Sequence, residues 1–146
     1  MPFSNLFAAS RISGSGMSAE RLRMEVIANN IANANSTKSA NGGPYRRQDV
    51  VFAEVLVEQA AGAKGGVQSL GGVKAVELVE DQSQLPRVFM PAHPDADAQG
   101  YVSMPNVHLP IEMVNLITAT RAYEANLKAA QAFRQMNEQA LTLLRG

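Results

Sequence analysis

Apolar residues recur at helical spacing near both ends of this chain. Residues 17–34 are continuously compatible with a helix, and the pattern weakens toward Gly14. The run 111–144 contains neither glycine nor proline, and Pro110 precedes it at a position where a first-turn proline is common. The sequence therefore predicts a helix at each end, the second of them roughly 50 Å long at about 1.5 Å per residue.

The middle of the chain has a different character. Glycine, proline, asparagine and aspartate separate the short β-branched runs "DVVFAEVLVE", "VKAVELVE" and "RVFM". The glycine-rich stretch between the first two runs predicts a flexible loop near residues 59–72. We therefore expect an α+β chain: residues 1–35 and 108–146 form long helices that pair as a coiled coil, and residues 36–107 form a small central β-hairpin domain.

Each predicted helix has two apolar sides, which a single partner helix cannot cover. Neighbouring subunits would cover the remaining sides, and the alternative is that the central hairpins fold over them. If neighbours cover them, residues 1–34 and 108–146 should be largely disordered before assembly. The expected assembly-interface residues are Met17, Met24, Ile27, Asn29, Asn30, Ile31, Asn33, Met113, Leu116, Arg121, Tyr123, Glu124, Asn126, Leu127, Phe133, Met136 and Leu141.

Asparagines are concentrated in "ANNIANANS", residues 28–36, at the predicted end of the first helix. An amide costs helix propensity, and a buried amide satisfies its hydrogen bonds in only one alignment, so it can fix the register of packed helices. The alternative is a fraying helix end, since asparagine is a common helix terminator. We favour the register role for Asn29, Asn30 and Asn126 and the terminator role for Asn35.

Composition narrows the function classes. Lys+Arg and Asp+Glu balance at 13 each, so bulk charge does not favour binding to nucleic acid or an anionic membrane. The chain has no cysteine, which excludes disulfides and thiol chemistry. The start "MPFSNLFAASR" lacks the basic segment and long apolar segment of a secretory signal, so we expect no cleaved signal peptide.

Candidate catalytic and metal-binding groups are few. His93, Asp95 and Asp97 could be drawn as metal ligands, but "PAHPDAD" is more typical of a tight turn whose carboxylates bond the backbone. His108 and Glu112 are four residues apart, and Glu112 is better explained as complementing the dipole of a first helical turn. We expect no enzyme activity, no cofactor, no metal and no small-molecule substrate.

Two longer stretches carry a family resemblance. "ANNIANANSTKSANGGPYRRQDVVF" resembles the asparagine-rich signature of the axial proteins of the bacterial flagellum, in rod and hook alike. "HPDADAQGYVSMPNVHLPIEMVNLITATRAYEANLKAAQAF" is similar to the segment that marks the proximal-rod members of that family. One departure is His108 in "PNVHL", where asparagine is usual.

The resemblance implies a structural subunit of the proximal rod of the flagellar basal body. Such subunits assemble helically into a hollow drive shaft that transmits torque and lines the export channel. The implied partners are further copies of the chain, other rod proteins, basal-body ring or adapter proteins and the flagellar type III export apparatus. The implied location is the periplasmic rod, reached without a cleaved signal. The alternatives are another axial subunit, of distal rod or hook, or a peptidoglycan-acting or docking module.

Overall fold

The computed structural model describes residues 2–40, 42–57 and 69–145. Within these residues, two helices and four strands make the fold α+β, which confirms the predicted class. In chain order the elements are α1 (Pro2–Ala32), β1 (Gln48–Val57), β2 (Ser69–Glu80), β3 (Arg87–Phe89), β4 (Tyr101–Ser103) and α2 (Leu109–Arg145).

Helix α1 continues through "SGSG" without a break. Within and just after this stretch, serine hydroxyls bond carbonyls of the preceding turn: Ser15 Oγ donates to the Ile12 carbonyl at 2.7 Å, and Ser18 Oγ donates to the Gly14 carbonyl at 3.1 Å. The glycines that were expected to weaken the helix do not end it. Its last turn is closed by the side-chain amide of Asn33, which donates to the Asn29 carbonyl at 2.9 Å.

The strands form two separate two-stranded sheets, β1 with β2 and β3 with β4. At the base of the first sheet, the amide of Asp81 donates to the Arg47 carbonyl at 2.8 Å, so the start of β1 lies beside the end of β2 and the pair is antiparallel. β3 and β4 are antiparallel with Val88 opposite Val102.

The three β-branched runs of the sequence coincide closely with β1, β2 and β3, whereas β4 was not predicted. β2 also begins at Ser69, inside the stretch expected to be a loop. The rest of that expected loop up to residue 68 lies outside the described residues.

The chain divides into two compact units. The first comprises Met1–Leu22, Val51–Glu77 and Ala119–Gly146, and the second comprises Arg23–Val50 and Leu78–Thr118. Among the described residues, both cores are built mainly from small apolar side chains. Two of the three largest fully buried side chains are polar, Glu112 and Asn30, and both belong to the second unit.

In the first unit, glycines mark two close approaches. A Cβ on Gly16 would stand 2.9 Å from the side-chain amide atoms of Asn126, so α1 and α2 meet here with almost no space between them. At Gly72, where φ is +113°, a Cβ would stand 2.2 Å from Ser15 Oγ. The same Ser15 oxygen accepts a hydrogen bond from the Val73 amide at 3.1 Å, which ties β2 to α1.

Candidate functional site

The second unit is organised around the fully buried side chain of Asn30, near the end of α1. Its amide nitrogen donates to the Gln48 carbonyl at 2.8 Å, and its oxygen accepts from the Gln48 amide at 2.9 Å. The same oxygen accepts from the Tyr45 hydroxyl at 2.7 Å, and the nitrogen also donates to Glu112 Oε2 at 3.0 Å. Asn30 thus satisfies both donors and both acceptor positions of its amide.

Glu112 in the first turn of α2 is the second member of this cluster, and its side chain is 1% exposed. Arg47 Nε donates to Glu112 Oε1 at 2.8 Å, and Asn115 donates to the same oxygen at 3.4 Å. Arg47 also pairs with the exposed Asp49 at 3.2 Å. Because a buried carboxylate is costly unless paired and hydrogen-bonded, these donors explain how it is tolerated in the interior.

A second buried asparagine, Asn106, holds the ends of the first sheet. Its oxygen accepts from the Arg47 amide at 2.8 Å. Its nitrogen donates to the Asp81 carbonyl at 3.0 Å and to Ser83 Oγ at 2.9 Å. The segment before α2 is therefore bonded to the start of β1 and to the residues that follow β2. We call the set Asn30, Tyr45, Arg47, Asn106 and Glu112 the polar junction.

Electrostatics within the polar junction follow from burial and from the Glu112 charge. Burial raises the pKa of Tyr45 above its ordinary value, and the negative charges of Glu112 and Glu80 raise it further, against Arg47. Burial alone would lower the pKa of Arg47, but its hydrogen bonds and attraction to Glu112 and Asp49 raise it overall. Tyr45 is thus held neutral and Arg47 charged.

The "PAHPDAD" segment forms the tight turn expected from its sequence. Asp97 Oδ1 accepts from the amides of Gln99 and Tyr101, each at 2.9 Å, and the Asp97 carboxylate also pairs with Arg87. His93 Nδ1 accepts from the Asp95 amide at 3.1 Å. Within the described residues, no group of three or more His, Cys, Asp or Glu side chains is placed to hold a metal ion.

Helix α2 presents a broad apolar surface in its first three turns. Large side chains at successive positions around this surface are between 42% and 61% exposed. We call this surface the α2 apolar face; it comprises Leu109, Ile111, Met113, Val114 and Ile117. An exposed patch of this kind is typical of a protein–protein contact.

The expected interface residues differ in exposure within the single chain. Asn30 and Ile27 are buried by their own chain. Half-buried are Met17, Met24, Ile31, Asn33, Leu116, Tyr123, Asn126 and Phe133. Exposed are Asn29, Met113, Arg121, Glu124, Leu127, Met136 and Leu141.

Among the asparagines, the side-chain placements differ. Asn30 has the buried, fully bonded amide that a register role requires, whereas Asn29 is exposed. Asn126 is half-buried and donates to the Ala122 carbonyl of its own helix at 3.0 Å. Asn35 follows the end of α1 and is exposed, as a terminator would be.

Sequence reasoning missed three members of the polar junction: Tyr45, Arg47 and Asn106. Two of them lie in "GGPYRR" and one in "PNV", stretches that carried the resemblance but to which no role was assigned. A signal was available for Asn106, since an asparagine after a proline and just before a helix is well placed to bond nearby backbone groups.

Two family models match the segments that contain Asn30 and Glu112. The model described as "Flagella basal body rod protein" matches residues 11–38, and that described as "Flagellar basal body rod FlgEFG protein C-terminal" matches residues 98–143. The chain is also similar over nearly its whole length to proteins named flagellar basal-body rod protein FlgC. The relative from Borreliella burgdorferi is 40% identical, over 97% of this chain and 99% of the relative.

This chain belongs to the FlgC family of flagellar basal-body rod proteins. The Salmonella typhimurium member is 42% identical over 90% of this chain and 92% of its own length. The Bacillus subtilis member is 38% identical over 94% and 97%. Among the described residues, neither α1 nor α2 is both long enough and apolar enough to cross a membrane.

Proposed function

We propose that this chain is a structural subunit of the proximal rod of the bacterial flagellar basal body. The observation that carries this proposal is the near full-length similarity to FlgC rod proteins. The architecture supports it, because the described residues offer a buried polar junction that holds segments together and exposed apolar surfaces that need partners. The subunit assembles helically into a hollow shaft that transmits torque and lines the export channel.

The terminal helices are proposed to pair as a coiled coil, with residues 1–35 and 108–146 forming one domain and residues 36–107 a central hairpin domain. Contacts between α1 and α2 support this pairing. In the first unit Asn126 lies against Gly16, and in the second unit Asn30 bonds Glu112.

Exposed members of the expected interface are proposed to contact neighbouring subunits. On α2 these are Met113, Leu127, Met136 and Leu141, with Arg121 and Glu124 able to form ion pairs across the contact. The half-buried members flank these contacts. Ile27 and Asn30, being buried by their own chain, support the interface by holding the register inside each subunit.

The partners are proposed to be other copies of this chain, other rod proteins, basal-body ring or adapter proteins and the flagellar type III export apparatus. The chain would reach the periplasmic rod through that apparatus with its N-terminus uncleaved. Mass spectrometry of basal bodies from the native bacterium should recover the N-terminal peptide. Recovery of only a shortened N-terminus would contradict this route.

Single-cysteine cross-linking in the native bacterium tests the function. Because the chain has no cysteine of its own, Leu127→Cys and Met136→Cys provide background-free probes. Purified hook–basal bodies should contain the chain, with cross-links from these positions to rod neighbours, and a gene deletion should leave cells without rods. Lys74→Cys, on an exposed strand position, is the control for random cross-linking.

A turnover assay separates this function from the cell-wall alternative. The purified chain should release no product from peptidoglycan. Basal bodies that lack the chain, or turnover of the glycan, would overturn the structural role.

A further inference from the structure

Glu112 occupies an unexpected side of α2. Between Asp97 and Arg121 it is the sole Asp, Glu, Lys or Arg residue in the sequence. A lone charge in a mostly apolar stretch of helix ordinarily faces solvent. Here Glu112 is 1% exposed, while its neighbours Ile111 and Met113 are 56% and 59% exposed. The polar side of this part of the helix is turned inward and the apolar side outward.

Hydrophobic burial alone cannot select this orientation. Apolar side chains surround the first turns of α2 on nearly all sides, since Leu116 shares the inner side with Glu112 and the α2 apolar face covers the outer side. A rotation about the helix axis that turned Val114 inward would bury apolar surface and return Glu112 to water. The orientation must therefore be selected by specific polar contacts.

Two of those contacts come from outside α2, and a third comes from α2 itself. Asn30 on α1 donates to Glu112 Oε2, Arg47 before β1 donates to Oε1, and Asn115 donates to Oε1 from the next turn of α2. Asn30 cannot follow a rotated Glu112, because its remaining amide positions are committed to Gln48 and Tyr45. Asn30 and Arg47, the two donors outside α2, therefore meet the carboxylate at one rotation of the helix only.

We infer that Glu112 is a positioning residue that locks the rotation of α2, so that the α2 apolar face stays outward and available to a neighbouring subunit. The lock is a property of the single chain. Its consequence for assembly rests on the function proposed above. Glu112 in this role prevents the chain from sealing its own contact surface before a partner arrives.

Cysteine labelling of the purified, unassembled chain tests the lock directly. Met113→Cys reports on the α2 apolar face, and Leu116→Cys reports on the side that carries Glu112. Each cysteine probe is placed in four backgrounds: the parent chain and the variants Glu112→Leu, Glu112→Gln and Glu138→Leu. All of these chains are then labelled with a maleimide. Glu138 is an exposed residue of α2, so its replacement controls for loss of a carboxylate and gain of a leucine.

In the parent, position 113 should react about ten times faster than position 116, because position 113 is exposed whereas position 116 is half-buried. Glu112→Leu should reduce this ratio to about threefold or less while circular dichroism shows unchanged helicity. Glu112→Gln keeps a polar acceptor for Asn30 and should retain most of the ratio, and Glu138→Leu should leave it unchanged.

If Glu112→Leu loses helicity, the double variant Arg47→Met/Glu112→Leu carries the test, because it leaves no unpaired buried charge. An unchanged labelling ratio in a folded variant overturns the lock. Incorporation into basal bodies is then measured separately. A changed ratio together with a parent chain absent from basal bodies would keep the lock and reject the proposed function.

Discussion

At the scale of single residues, two of the buried side chains are amides and one is a carboxylate: Asn30, Asn106 and Glu112. Asn30 bonds both backbone groups of Gln48, so its side chain takes the place that a neighbouring strand would occupy at the start of β1. Such a group adds little net stability over a well-packed apolar side chain, but its removal leaves several buried partners unsatisfied. The cost of a substitution here is therefore large and specific.

Replacing Asn30 with leucine should lower the free energy of unfolding by about 2 to 4 kcal/mol, because the Gln48 backbone, the Tyr45 hydroxyl and Glu112 each lose a bond. Urea unfolding followed by circular dichroism measures this loss. Asn29→Leu, one position earlier, should cost only about 1 kcal/mol or less, because the hydrogen bonds of Asn29 with Tyr45 and Asn33 are exposed to solvent. Equal unfolding midpoints for the two variants would show that the amide is not structurally required.

The stability that Tyr45 contributes to the polar junction is lost at high pH. Its pKa is raised from 10.0 in the folded chain, first by burial and then by the negative charges of Glu112 and Glu80, so the folded state holds the phenol proton more tightly than the unfolded state. This contribution to stability is complete below the unfolded pKa and is lost as pH rises through the folded pKa.

Tyr45→Phe tests that sign. At neutral pH the variant should be less stable by about 1 kcal/mol, because the hydrogen bond to Asn30 is lost. The parent should lose stability more steeply than the variant above about pH 10, so the two curves converge. Urea titrations at several pH values provide the measurement, and parallel curves would contradict the effect.

At the scale of elements, sequence pattern located the helices well and the strands less completely. The helices are long and amphipathic, so their signal is repeated over many turns. β4 has three residues, too few to show alternation, and the glycines at positions 71 and 72 hid the start of β2. At Gly16, α1 lies close to Asn126, more than a hundred residues away in the sequence, and periodicity cannot reveal such a contact.

The polar junction could not be predicted from the sequence for the same reason, because it depends on contacts between distant residues. A lone acidic residue after Pro110 matches a first-turn dipole partner, and Glu112 does lie in that turn. Its burial depends on Arg47 and Asn30, which are distant in sequence. The identity of the family was predictable because its signatures are contiguous, whereas the side of α2 that faces inward was set by partners that no local pattern identifies.

Alanine substitutions at three glycines compare the effects of steric room and of backbone strain on stability. Around Gly14 nothing lies within 4 Å of an added Cβ, so Gly14→Ala should raise the free energy of unfolding by about 0.5 to 1 kcal/mol through helix propensity. At Gly72 the positive φ and the nearby Ser15 oxygen should make Gly72→Ala destabilising by about 1 to 3 kcal/mol.

The variant Gly16→Ala tests how far the close contact with Asn126 offsets the gain in helix propensity. It has the same propensity gain as Gly14→Ala, but its Cβ displaces the Asn126 amide, so it should be less stabilising than Gly14→Ala. Thermal unfolding of the three variants ranks them. An order with Gly72→Ala above Gly14→Ala would refute the close approach between β2 and α1.

At the scale of the whole molecule, burial is distributed unevenly along the chain. The second unit contains Asn30, Asn106 and Glu112, all buried within one chain. Along α2, the last buried residue among those described is Ala119, and beyond it large apolar side chains such as Leu141 and Leu143 are 55% and 84% exposed. The expectation that residues 1–34 and 108–146 are disordered before assembly stays a prediction, and the burial pattern favours it most for the part of α2 that follows Ala119.

A dilute, unassembled chain should show this division by hydrogen exchange. Backbone amides near the polar junction, in residues 26–33, 45–50 and 106–116, should exchange slowly, because their opening exposes buried polar groups and charges. Amides in residues 122–143 should exchange rapidly, since a helix whose side chains are at most half-buried gains too little to offset its ordering entropy of about 1 to 2 kcal/mol per residue. In basal bodies the same residues should become protected, as neighbouring subunits cover Leu127, Met136 and Leu141. Slow exchange through residues 122–143 in the dilute chain would mean that this half of α2 is stable without neighbours, and rapid exchange there in the assembled rod would mean that neighbours do not cover it.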